Sequence, residues 1–172
     1  MKKGFTLIEM MISISILSII MIFLYQAYSD LNKSNQKYKT IVAKIDKNIK
    51  IKKVVYLDFL LSLTNNVYIQ NQDVDEDIVI LQTTNSIHNN INPYVSYIVK
   101  DNKLYRIESL IKPTIPFGVD LKGVVDYIEE VNRFRVYKAL KKDNNNTKTL
   151  YLIDIDFKNI DDILYKITSL NQ

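Results

Sequence analysis

Residues 5–25 form an apolar run of 21 residues in which Glu9 is the only charge. As a helix this run covers about 31 Å, close to the hydrocarbon thickness of a bilayer. A secretory signal has a shorter apolar core and a small-x-small cleavage site behind it, and Gln26-Ala27-Tyr28-Ser29-Asp30 supplies no such site. Lys2 and Lys3 stand before the run. The positive-inside rule then predicts a cytoplasmic N-terminus and an exported remainder. Whatever else the chain folds into must therefore be attached to one membrane-length helix.

Glu9 does not suit a plain anchor. A carboxylate at mid-bilayer costs roughly 2.5–3.5 kcal/mol on insertion scales, and less near an interface. The stretch Lys3-Gly4-Phe5-Thr6-Leu7-Ile8-Glu9, followed by the apolar helix, resembles the N-terminus of type IV prepilins and type II secretion prepseudopilins. The resemblance implies that a prepilin peptidase cuts between Gly4 and Phe5, removes Met1 to Gly4 as a leader, and N-methylates Phe5. Glycine leaves the backbone at the cut unobstructed. It also implies that the new amine of Phe5 lies close to Glu9 of a neighbouring subunit. Unit charges about 4 Å apart attract by roughly 4 kcal/mol at an effective dielectric of 20, which is comparable to the insertion penalty. Such a pair fixes axial register more than it adds net stability.

Apolar residues continue at Tyr28, Leu31, Tyr38, Ile41, Val42, Ile45 and Ile49, then at Tyr56, Phe59, Leu60 and Leu63. These steps predict one amphipathic helix to about Thr64, packed on a globular domain and stopped by Asn65-Asn66. The pattern loosens at Lys50–Lys53, where a bend is expected. Strands are predicted at Ile78–Thr84, Tyr94–Lys100, Lys103–Ser109, Arg133–Leu140 and Thr149–Phe157. Asp101-Asn102 reads as a two-residue hairpin turn. Pro113, Pro116 and Gly118 mark a loop. Val124–Glu130 reads as strand or short helix, Asp161–Leu170 as helix or strand, and Lys141–Lys148 as a polar loop. The fold class is α+β, a long helix laid on an antiparallel sheet.

The stretch NPYVSYIVKDNKLYRIES further resembles minor pseudopilins of the J type and minor pilins of the W type. In those a hairpin carries Tyr in its first strand and L-x-R in its second, here Tyr97 and Leu104-Tyr105-Arg106. VYLDFLLSLTNN is similar to the end of their long helix, which makes Asp58 the acidic residue before a Leu position. VVDYIEEVNRFRVYKA is similar to a later segment of the same domain. Gln26 stands where many major pilins have Pro, and there is no cysteine for a C-terminal disulfide. Both departures fit a minor pilin or pseudopilin.

No enzymatic constellation is present. His88 is the only histidine and sits in the polar stretch TTNSIHNNIN, which reads as an exposed loop without a spaced partner. No glycine phosphate loop, G-x-S-x-G or H-E-x-x-H occurs. Asp73, Asp75 and Asp77 have the D-x-D-x-D opening of a calcium loop, but the glycine and the twelfth-position Glu of an EF-hand are missing. They are weak candidates for calcium and read first as a solvated acidic loop. Asp154 and Asp156 read as the outward face of a strand. Net charge is +4, and residues 26–64 hold eight Lys against three Asp while residues 65–172 hold 13 basic and 15 acidic side chains. The helix lysines lie on several faces without interleaved aromatics, so a solvated face is expected and DNA contact stays open.

The expected organisation is a leader at 1–4, a transmembrane or filament-core helix at 5–25, an amphipathic helix at 26–64 and a β-rich domain at 65–172. The expected function is a minor pilin or pseudopilin, a structural or tip-initiating subunit of a type IV pilus, a secretion pseudopilus or a DNA-uptake pseudopilus. Its partners would be prepilin peptidase, other pilin subunits and the inner-membrane assembly platform, with no cofactor beyond calcium as a minor option. It would reside in the bacterial inner membrane, then in a periplasmic or surface filament. The alternatives are a signal-anchored exported binding or sensor domain, or a pilin-like adhesin.

Overall fold

A computed structural model describes residues 6–72, 75–115, 123–143 and 146–170. The chain divides into two units, Met1–Asp46 and Lys47–Gln172. Helix α1 covers Leu7–Leu60, and the first unit contains no other element. It remains helical through Lys50–Lys53. Its opening stretch is long and apolar enough to cross a membrane, with a mean hydropathy of 2.5 over the best window. Ser13, Ser15 and Ser18 donate to the carbonyls of Glu9, Met11 and Ile14, four residues back, so their hydroxyls need no water.

The second unit holds the end of α1 and seven strands paired antiparallel in sequence order. They are β1 (Ser62–Gln70), β2 (Ile78–Thr83), β3 (Tyr94–Lys100), β4 (Lys103–Ser109), β5 (Val124–Asp143), β6 (Asn146–Phe157) and β7 (Ile163–Thr168). The β3–β4 turn places Asp101 and Asn102 at φ 52° and 57°, the left-handed pair that matches strand twist and that Asp and Asn tolerate. β5 joins two halves of the sheet: Val124–Glu130 pairs with β4, and the strand from Val131 onward pairs with β6 after a bulge between Val131 and Arg133. A bulge of this kind bends the strand and strengthens its twist.

Ile51, Val55 and Phe59 recur every four residues and bury one face of α1 against alternate residues of the strands. Phe59 is fully buried, with its ring 6.1 Å from Tyr97 and 5.7 Å from Tyr151. Ile49, at the C-terminal end of the stripe that begins at Tyr28, is exposed.

The structure also corrects several boundaries. The helix stops at Leu60, not Thr64, and the segment with the Asn pair is the irregular start of β1, where the register shifts between Ser62 and Val67. No glycine is needed at that end because tertiary partners satisfy it. Leu170 N donates to Leu60 O at 2.8 Å, Ser62 Oγ to Phe59 O at 2.8 Å, and Thr84 N to Leu61 O at 3.3 Å. Val124–Glu130 and Ile163–Thr168 both resolve as strand. Within the stretch expected as a polar loop, residues 141–143 and 146–148 continue β5 and β6 in register, down to Asp143 opposite Asn146. Pro116 and Gly118 lie outside the described residues.

We expect Phe59→Ala to lower the stability of the second unit by about 3–5 kcal/mol in urea titration of the detergent-solubilised chain. Tyr28→Ala, on the exposed stripe, should change it by less than about 0.5 kcal/mol.

Candidate functional site

Two sites deserve description, one at each end of α1. At the N-terminal end, Thr6-Leu7-Ile8-Glu9 forms a capping box. The Thr6 backbone N–H and hydroxyl donate to Glu9 Oε2 at 2.9 and 2.8 Å, and the Glu9 N–H reaches the Thr6 hydroxyl oxygen at 3.4 Å. The reciprocal arrangement satisfies orphan donors of the first turn and places a negative charge at the positive end of the helix dipole. Glu9 therefore has a local use in addition to the intermolecular one expected for it. The T-x-x-E spacing carried that signal in the sequence. Gly4 and Phe5 lie outside the described residues.

At the other end, the sheet register builds a charged cluster inside the second unit. Tyr97 stands opposite Arg106 on β3 and β4, and Arg106 stands opposite Asp126 on β5. Period-two alternation turns Arg106 and Glu108 to the same side as Leu104, toward the core. Asp58, in the last turn of α1, sits over this row. Arg106, Asp58 and Tyr97 are fully buried and Glu108 is 1% exposed. Arg106 Nε and Nη2 donate to the two oxygens of Asp58 at 2.8 and 3.2 Å, and Nη1 donates to Glu108 at 2.8 Å. Asp58 also accepts from the Tyr97 hydroxyl at 2.6 Å and from Asn85 Nδ2 at 2.7 Å.

The loop between β2 and β3 completes the shell. Asn90 Nδ2 donates to Glu108 at 2.8 Å, the Ile87 N–H donates at 3.2 Å, and Ser86 Oγ adds a short bond to the same carboxylate. Asp126 lies 3.8 Å from Arg106 Nη1 and 2.9 Å from His88 Nε2. His88 is thus a half-buried loop residue with a carboxylate partner, not the exposed and unpartnered histidine expected.

Burial, and then the neighbouring Asp58 charge, push the Tyr97 hydroxyl well above its ordinary range. Burial opposes the charge on Arg106, but the hydrogen bonds and charge of Asp58 more than offset that and raise its pKa. Burial likewise works against ionised Glu108, yet donation from Ser86, Arg106 and Asn90 prevails and holds its carboxyl at about 2.

A second carboxylate group corrects the acidic-loop reading. Asp77 is fully buried and accepts from Arg135 Nη1 at 3.0 Å, the Val136 N–H at 2.9 Å and Asn71 Nδ2 at 2.7 Å. Asp75 takes Arg135 Nε at 2.9 Å. Both aspartates clamp the approach to β2 onto β5, while Asp73 lies outside the described residues. No group of three metal-ligating side chains occurs among the described residues. Asp154 and Asp156 lie on the outer side of β6, where Arg133 and Asn132 meet them. Among the helix lysines, Lys47 pairs with Glu129 at 2.6 Å and Lys52 with Asp161 at 3.6 Å.

Residues 1–25 match the family model of the prokaryotic N-terminal methylation motif. No curated protein and no solved structure matches the chain. With this motif, a membrane-length helix and an antiparallel sheet behind it, the chain resembles pilins and pseudopilins, and its α+β fold is pilin-like. Proteins of this kind are structural subunits and not enzymes. The motif implies processing by prepilin peptidase and membrane association.

Removing the Arg106 charge leaves two buried carboxylates uncompensated, so Arg106→Met should cost about 3–5 kcal/mol by urea titration. Tyr97→Phe, which deletes one donor to Asp58, should cost less, about 1.5–3 kcal/mol. The Glu108 pKa is depressed from 4.5 to about 2, so its contribution is complete above about pH 4.5 and lost as pH falls toward 2. Glu108→Gln should remove about 3 kcal/mol of that acid-limb dependence, read from urea midpoints between those pH values.

Proposed function

We propose that the chain is a minor pilin or pseudopilin, a structural or tip-initiating subunit of a type IV pilus, a secretion pseudopilus or a DNA-uptake pseudopilus. The match of residues 1–25 to the methylation motif carries this reading, because that segment contains the membrane-length apolar run. In this reading prepilin peptidase cuts between Gly4 and Phe5 and methylates the new amine. The amine then pairs with Glu9 of an adjacent subunit in the filament core. The subunit waits in the inner membrane with its sheet domain exported and is extracted by the assembly platform. Support for the J-type or W-type assignment comes from Asp58, Tyr97 and Arg106, the residues of that resemblance, which form a single hydrogen-bonded group.

Mass spectrometry of the N-terminus from the native host tests the processing. We expect loss of Met1–Gly4 and one added methyl group on Phe5. An intact N-terminus, or a cut after Tyr25, would refute it. Gly4→Leu should block processing, whereas a plain signal anchor would tolerate it. The capping box supplies a sharper test of Glu9. Glu9→Gln keeps a residue able to cap the first turn but loses the charge. Under the charge-pairing account Glu9→Gln and Glu9→Ala should both be cleaved and both fail to enter filaments. Filament entry by Glu9→Gln alone would assign Glu9 to capping only.

A further inference from the structure

The loop between β2 and β3 turns its polar side chains inward and fastens them to the elements around it. Asn85 Nδ2 donates to Asp58 of α1, and the Ser86 hydroxyl, the Ile87 N–H and Asn90 Nδ2 all donate to Glu108 of β4. Gln82 Nε2 of β2 donates to the Asn92 carbonyl at 3.1 Å. His88 is the side chain that reaches β5, with Nε2 2.9 Å from Asp126. Asn89 and Asn92 stand at φ 60° and 48°, in the left-handed region, a backbone conformation that persists where surrounding contacts hold it.

Charge sets the His88 contact apart from the other ties. Asp58, Glu108 and Asp126 all lie within 3.8 Å of the single guanidinium of Arg106. Glu108, held at about 2, stays ionised at neutral and mildly acidic pH, and burial keeps the Tyr97 hydroxyl neutral there. Negative charge is therefore in excess beside the loop. Histidine is the side chain whose charge ordinarily changes between about pH 5 and 8. A protonated His88 sets a cation against Asp126, in a charge-assisted bond roughly twice as strong as a neutral one. A neutral imidazole keeps the contact only as the Nε2–H tautomer, because the other tautomer turns a lone pair toward the carboxylate.

We infer that the His88–Asp126 contact is a pH-sensitive clasp, which fastens the β2–β3 loop to β5 when the imidazole is protonated and loosens it when the proton leaves. The pair is half-buried, so its proton exchanges with solvent while its charges escape full screening. Apolar surface is what the clasp holds in place. Ile87 and Ile91 in the loop and Val124 and Val125 at the start of β5 are all exposed. The clasp lies wholly within the second unit and holds or fails independently of N-terminal processing.

His88 is the only histidine, so its imidazole resonances follow the titration without overlap. In the detergent-solubilised full chain, amide exchange of residues 84–93, corrected for intrinsic chemistry, should be about two- to five-fold slower at about pH 5.5 than at about pH 8. The step should track the imidazole resonances and be absent from the buried strand β6. His88→Gln and Asp126→Asn should each abolish it. Equal protection at both pH values overturns the inference, and so does a step that survives in either variant. Should the variants not fold, the wild-type chain still decides, because loop amide shifts that do not move with the imidazole would refute the clasp.

Discussion

The bidentate contact of Arg106 with Asp58 is the constraint on which the second unit is organised. A helix C-terminus already carries negative potential, so a buried carboxylate in the last turn of α1 is doubly unfavourable without a cation beside it. Arg106 is the residue suited to that place, because its planar fork reaches both oxygens of Asp58 and still offers Nη1 to Glu108. One guanidinium thereby joins the helix end to β4, with Tyr97 joining β3 and Asn85, Ser86 and Asn90 joining the loop behind β2. A buried ion pair adds little net stability over a well-packed apolar group, but a wrong register leaves it unpaired at high cost. Its effect is to penalise any slip of α1 along the sheet.

Structure set by neighbouring residues was more legible in the sequence than structure set by remote ones. The β3–β4 hairpin was legible because strand, turn and strand lie in one continuous stretch and Asp101-Asn102 fits the turn chemistry. The end of α1 was misplaced because the partners that terminate it, Thr84 and Leu170, are remote in sequence. The Asn pair suggested a stop, yet it lies in an irregular stretch of β1. The charged cluster was half visible: the family resemblance singled out Asp58, Tyr97 and Arg106 without implying that they touch. The alternation of Leu104, Arg106 and Glu108 was the missed signal, since three residues on one strand face share one environment. His88 and Asp126 could not be paired from spacing, because a loop and a strand 38 residues apart are brought together only by the register of β4 with β5.

Glu9 already meets one physical demand in the single chain, and the proposed pairing with an amine would add a second. In the single chain its carboxylate is spent on Thr6 and the first-turn donors. An amine created at Phe5 by cleavage would compete for that carboxylate, and a charge-assisted contact is stronger than a neutral one. The capping box therefore lowers the cost of holding a carboxylate near the membrane before a partner arrives. It does not exclude the later pair.

Where α1 enters the second unit, one of its faces meets the sheet. Ile49 continues the outer stripe and is 58% exposed, whereas Ile51, about 200° further round, is 8% exposed and faces the sheet. Here the core face is taken up by Ile51, Val55, Asp58 and Phe59, and Lys47, Lys52 and Asn48 fasten the flanks to Glu129 and Asp161.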